Sequence, residues 1–154
     1  MKLIELPRLS SKPKSAYIQP LSLLLAAILL VMAVAQLFKY EAFPEVLAAI
    51  GVRGWENLAA ALIVIMEVAA LTFLLYMQLG HVPRVLSMVA GWGVVSVWVI
   101  LLLLATVENA KNSGLLGATV EVPAGWGSVF FALSLAVLVA WVGWGMWPGR
   151  SKKG

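Results

Sequence analysis

The chain contains no cysteine and no aspartate, has one histidine, and carries few charges of either sign: 12% of its 154 residues are Asp, Glu, Lys or Arg. Each shortage excludes a chemistry. Without cysteine there are no disulfides, no thiolate metal sites and no dithiol redox couple. Without aspartate a Ser–His–Asp triad cannot be assembled. The single histidine, His81, cannot build a metal centre, which needs several ligands, so no metal is expected. No Gly-rich phosphate loop is present. An ordinary soluble domain is about a quarter charged. This chain is 62% hydrophobic with a mean hydropathy of +0.98, the balance of an integral membrane protein. Its net charge of +4 does not point to nucleic acid, because the Lys and Arg residues lie at the flanks of the apolar runs, where topology accounts for them.

Four apolar runs are long enough to cross a bilayer, which takes roughly 20 residues each. They fall at about 21–40, 57–79, 84–107 and 125–147, and the whole chain, 1–154, reads as one membrane domain. Ala33-Val-Ala35 resembles a signal-peptide cleavage site, but the apolar run continues to Phe38, which favours a span. Between the first two spans, Phe43-Pro-Glu-Val-Leu-Ala-Ala-Ile-Gly51 predicts a short interfacial helix. Pro44 suits its first position, Glu45 the positive end of its dipole and Gly51 its stop. Trp55, Trp126, Trp141, Trp144 and Trp147 suit membrane interfaces. A tight turn at Gly80-His81-Val-Pro83 joins the middle spans, and Thr119-Val-Glu-Val122 is too short to assign as a strand. Lys2, Arg8, Lys12, Lys14, Arg84, Arg150, Lys152 and Lys153 gather on one side, against Lys39, Arg53 and Lys111 on the other. The positive-inside rule then places both termini in the cytoplasm and both long loops, 41–56 and 108–124, outside; the expected location is a prokaryotic cytoplasmic membrane. The expected fold is an all-α antiparallel bundle of four transmembrane helices.

One residue is out of place in this apolar chain. Glu67 falls near the midpoint of the second span, about 15 Å from either end at 1.5 Å per residue. An ionised carboxylate there costs on the order of 3 kcal/mol by insertion scales. Glu67 is therefore expected to be neutral, facing other helices and hydrogen-bonded across them. Leucine in its place would stabilise the fold only if no polar partner remained buried and unpaired. Helical periodicity puts Glu67 on a stripe with Glu56, Ala60, Val64, Leu71, Leu74 and Gln78. Ser22, Leu25, Leu29, Met32, Gln36 and Tyr40 share a stripe on the first span, and Ser87, Gly91, Val94, Trp98, Ala105 and Asn109 on the third. On the fourth, Gly127, Ser134, Trp141 and Gly145 form one stripe. Ser128, Ala132, Ala136 and Ala140 form another, whose small residues suit close helix contact. By residue count Glu67, Trp98 and Ser134 lie about 12–15 Å below the outer surface, with Gln36 nearer to it. Glu67, Gln36, Trp98 and Ser134 are thus the candidate ligand-binding or proton-linked residues.

Gln36-Leu-Phe-Lys-Tyr-Glu-Ala-Phe43, followed by a short loop helix and Ile65-Met-Glu67 inside the second span, resembles the DoxX/MauE superfamily of small four-helix membrane proteins. Phe43 and Glu67 match that pattern, and Gln36 stands where a lysine is often found, with Lys39 one turn away. Asn112-Ser-Gly-Leu-Leu-Gly117 before Gly125-Trp126 looks like the Cys-Gly-Cys-Phe-Gly loop of the MauE branch without its cysteines. The resemblance implies a membrane accessory subunit of a redox system, with a quinone or other apolar ligand near Glu67 and a soluble or membrane oxidoreductase as partner. The disulfide-dependent role of the MauE branch has no cysteines to act through. Two other functions fit the residues: a small proton-coupled transporter using Glu67, and a structural subunit of a larger complex or homo-oligomer.

Overall fold

A computed structural model describes residues 16–75, 77 and 80–146. Helix α1 spans Ile18–Phe38 and runs through a 3-10 turn at Tyr40–Ala42 into a short helix, α2, Phe43–Ala49. Then follow α3 (Glu56–Leu74), α4 (His81–Val107) and α5 (Trp126–Met146). The four long helices are each long and apolar enough to cross a membrane. They pack as α1 on α3, α3 on α4, α4 on α5 and α5 back on α1, which closes the expected four-helix bundle. The basic residues of both tails, Gln78, Trp147 and the side chain of His81 lie outside the described residues.

The helix limits differ from the sequence reading for local reasons. Pro20 and Pro83 were expected to precede their helices, yet each is the third residue of one, α1 and α4. The first turn of a helix has no intrahelical partner for its N–H groups, so a proline there loses nothing. At its far end α3 stops at Leu74, short of Leu79, where the Ser22 hydroxyl of α1 donates to the freed Leu74 carbonyl at 2.5 Å. Helix α2 ends as its sequence suggests. Gly51 (φ +111°) takes the left-handed position after it, with Gly51 N–H bonded to Ala48 O and Val52 N–H to Leu47 O. Asn109 plays the same part after α4, with φ +51° and Ala110 N–H bonded to Ala105 O. It is therefore an exposed cap residue and not a member of the buried α4 stripe.

Most of the stripes proved to be the packed faces. Ser22, Leu25, Leu29, Met32 and Gln36 are buried on α1, Ala60, Val64, Glu67 and Leu74 on α3, and Ser87, Val94, Trp98 and Ala105 on α4. On α5 the small-residue stripe is buried at Ser128 and Ala132, but the deepest face continues through Leu135, Val139 and Val142. At the turn end of the bundle, Ser87 accepts from Phe73 N–H at 2.9 Å and donates to Ala69 O at 2.5 Å, locking α4 to α3. Arg84 lies over the Phe73 ring and donates to the terminal Met146 carbonyl at 2.8 Å. It thereby satisfies an orphan group of α5 and neutralises the negative end of its dipole.

At the opposite end both long connections fold inward. Phe43 and Leu47 of α2 and Ile50 just after it are fully buried, and Ser113, Gly114, Leu115 and Gly117 of the 108–124 loop are buried too. Among the described residues none is in a β-strand. Thr119-Val-Glu-Val122 instead returns the loop on itself, with Ser113 N–H bonded to Val122 O at 2.7 Å. Irregular backbone at membrane depth is tolerated only where protein covers it. Here α2, α1 and Trp98 provide the cover.

Candidate functional site

Three of the four candidate residues meet. Glu67 Oε1 accepts a hydrogen bond from Trp98 Nε1–H at 2.8 Å and another from Gln36 Nε2–H at 3.2 Å. All three side chains are sealed from the surface, Glu67 and Gln36 with no exposed area at all. The elements that deliver them sit at different heights. From Glu56 to Glu67 the chain descends about 16 Å along α3, and Trp98 lies about 14 Å below the end of α4. Gln36, by contrast, is in the last turn of α1. Helix α1 stops short, and the loop 113–119 fills the space above its end.

Ser134 does not join the cluster. It is exposed on the outer face of α5, and its hydroxyl donates to the Phe130 carbonyl of its own helix at 2.8 Å. A serine in an apolar helix can satisfy its hydroxyl on the preceding turn. Matching depth therefore did not oblige it to face inward: the stripe it shares with Gly127, Trp141 and Gly145 is exposed at its first three members and buried only at Gly145.

The loop supplies what the sequence reading missed. The second N–H of Gln36 Nε2 donates to the Leu115 carbonyl at 3.2 Å, so one amide bridges Glu67 and the loop. Two glycines make this approach possible. Gly117 has φ +60°, and a Cβ there would sit 2.8 Å from Gln36 Cα. A Cβ on Gly114 would lie 3.2 Å from Ile50 and 3.3 Å from Val46 of α2. Asn112 braces the turn, its Oδ1 accepting from Gly114 N–H and its Nδ2 donating to Gly117 O. Thr119 Oγ1 donates to Ala35 O at 2.5 Å. The signal was present as Asn-Ser-Gly-x-x-Gly, which reads as a turn but does not say what the turn packs against.

Two polar atoms of the cluster have no hydrogen-bond partner: Glu67 Oε2 and Gln36 Oε1. Among the described residues no Lys, Arg or His is a hydrogen-bond partner of Glu67, and no group of three His, Cys, Asp or Glu side chains is placed to hold a metal.

On the other side of Leu115 a groove of about 520 Å³ opens between α1 and α5. Ile28 and Met32 of α1, Leu115 and Leu116 of the loop, and Ser128 and Phe131 of α5 line it. The Ser128 hydroxyl is already committed to the Pro123 carbonyl at 2.8 Å. The groove thus fits a hydrocarbon tail, and the one side-chain hydroxyl among its lining residues is already bonded.

Four apolar helices of spanning length, closed around a buried carboxyl, define a small four-span integral membrane protein. Comparison with protein-family models, curated proteins and solved structures gives no match, so no family is assigned beyond that class.

Proposed function

We propose that the protein is a membrane subunit that binds one long hydrocarbon tail in the groove between α1 and α5, with the loop 113–119 as the groove's upper wall. The observation that carries this reading is the groove itself. Its volume lies in the range of small-molecule sites. It opens sideways at exposed Val31 and Phe131, at the depth of the middle of α1. Its one hydroxyl is internally bonded, so apolar chain is the chemistry it selects. The tail of a membrane quinone and the acyl chain of a phospholipid share that chemistry. The resemblance to DoxX/MauE proteins favours the quinone and an accessory role beside an oxidoreductase, the head lying outside the groove. A transporter reading requires Glu67 to meet water, and its complete burial counts against that reading.

The test is extraction of the purified protein from nanodiscs. A quinone retained near one per chain, and lost in Ala27→Trp, which fills the groove, supports the accessory-subunit reading. Retained phospholipid without quinone supports tail binding but removes the redox role. Lipid in bulk proportions, unchanged in Ala27→Trp, overturns both.

A further inference from the structure

We infer that Glu67 and Gln36 form a proton-binding site, in which one proton carried on Glu67 Oε2 is donated to Gln36 Oε1 and closes a cyclic acid–amide pair. The geometry forces the assignment stepwise. The Leu115 carbonyl can only accept, so it must face the amide nitrogen of Gln36, at 3.2 Å. Both hydrogens of that nitrogen are then used, one on Leu115 O and one on Glu67 Oε1. Glu67 Oε1 is also taken by Trp98. What remains is one oxygen on each side chain, Glu67 Oε2 and Gln36 Oε1, both buried and both without a donor. With Glu67 ionised, both of these oxygens are acceptors and neither can satisfy the other. A single proton converts them into a donor and an acceptor and satisfies both, since a protonated carboxyl is itself a donor. The proton comes from bulk water and returns to it.

No neighbouring charge offers another solution. Between Ile18 and Phe38 α1 has no titratable side chain, α4 has none after Arg84, and α5 has none. Lys39 at the end of α1, Glu41 after it, Glu45 of α2 and Arg53 are exposed, as are Glu108, Lys111 and Glu121 around the loop. Tyr40 lies one turn past Gln36 and is half-buried, and Glu56 stands at the far end of α3. None of these is a hydrogen-bond partner of Glu67.

The site also couples protonation to the loop. Gln36 is shared between the carboxyl and Leu115, so losing the proton sets Gln36 Oε1 against a carboxylate and turns the amide away from the loop. This goes beyond the tail-binding reading and does not depend on what the groove holds.

Infrared spectroscopy of the unliganded protein in nanodiscs tests it. At neutral pH a hydrogen-bonded, protonated carboxyl band is expected, identified by its loss in Glu67→Gln. In Gln36→Leu the band moves to the frequency of a weaker hydrogen bond. Amide-exchange protection of residues 113–119, normalised to intrinsic rates, falls about tenfold in that variant. A carboxylate band at neutral pH that disappears in Glu67→Gln means that a water or other donor fills the gap, and overturns the inference. So does a protonated band that Gln36→Leu leaves unmoved, or loop protection that it leaves unchanged. Should Gln36→Leu fail to fold, a pH titration of the wild type decides: the protonated band and the loop protection must persist together or vanish together. Separate behaviour overturns the coupling.

Discussion

Replacing Glu67 by leucine is the sharpest probe of how the bundle is held together. In an apolar membrane helix the intuitive expectation is stabilisation, because an expensive carboxyl is removed. The structure predicts the opposite. Glu67 Oε1 is the acceptor for Trp98 Nε1–H at 2.8 Å and for Gln36 Nε2–H at 3.2 Å. Trp98 is 1% exposed and Gln36 0%, so neither donor reaches a substitute partner in water. A buried donor left unpaired costs about 1–3 kcal/mol. Individual hydrogen bonds inside membrane proteins average only about 0.6 kcal/mol by double-mutant cycles, because the unfolded reference also finds partners. Two orphaned donors therefore set the cost of Glu67→Leu at about 1–6 kcal/mol, from two bonds at the membrane average to two fully unpaired groups. Glu67→Gln keeps an acceptor oxygen for Trp98 and places an N–H toward Gln36 Oε1, so its cost should stay under about 1 kcal/mol. Reversible unfolding in bicelles, followed by detergent titration, measures both. In a double-mutant cycle, Gln36→Leu combined with Glu67→Leu should cost less than the sum of the singles, since part of the orphaned network is then gone. A Glu67→Leu protein as stable as the wild type, or more so, would refute the claim that this carboxyl pins α1, α3 and α4 together.

Three further outcomes are expected. Ala132 is fully buried where α5 meets the bundle, so Ala132→Leu should cost about 1–3 kcal/mol by overpacking, while Ser134→Ala on the exposed face should stay within about 0.5 kcal/mol; both are read from thermal midpoints in detergent. Gly117→Ala should destabilise by more than about 1 kcal/mol, because its φ is positive and the new Cβ meets Gln36 Cα, and exchange protection across 113–119 should drop with it. The orientation expected from the positive-inside rule predicts that an exposed Lys111→Cys reacts with an impermeant thiol reagent in intact cells whereas Ser151→Cys does not; the reverse pattern would invert the orientation.

The sequence by itself determined that this chain lies in a membrane, how many times it crosses, and which faces of α1, α3 and α4 are packed. Those properties follow from composition and from a 3.6-residue period, which are local and need no knowledge of partners. It also singled out Glu67 and two of its partners, Gln36 and Trp98, since polar atoms are so few that their burial is nearly forced. What it left open was the fate of groups with a local alternative. Ser134 has the same depth as Trp98 but can bond its own helix, so depth alone did not turn it inward. Pro20 and Pro83 fall just before the spans as read from sequence, yet the vacant N–H positions of a first turn admit both into their helices. The 108–124 loop reads as polar and external. Only the tertiary structure brings Leu115 under α2 and onto Gln36, because α1 ends below its neighbours and leaves a gap that the loop must fill. A gap between helices of unequal reach belongs to their packing, and no single stretch of sequence encodes it.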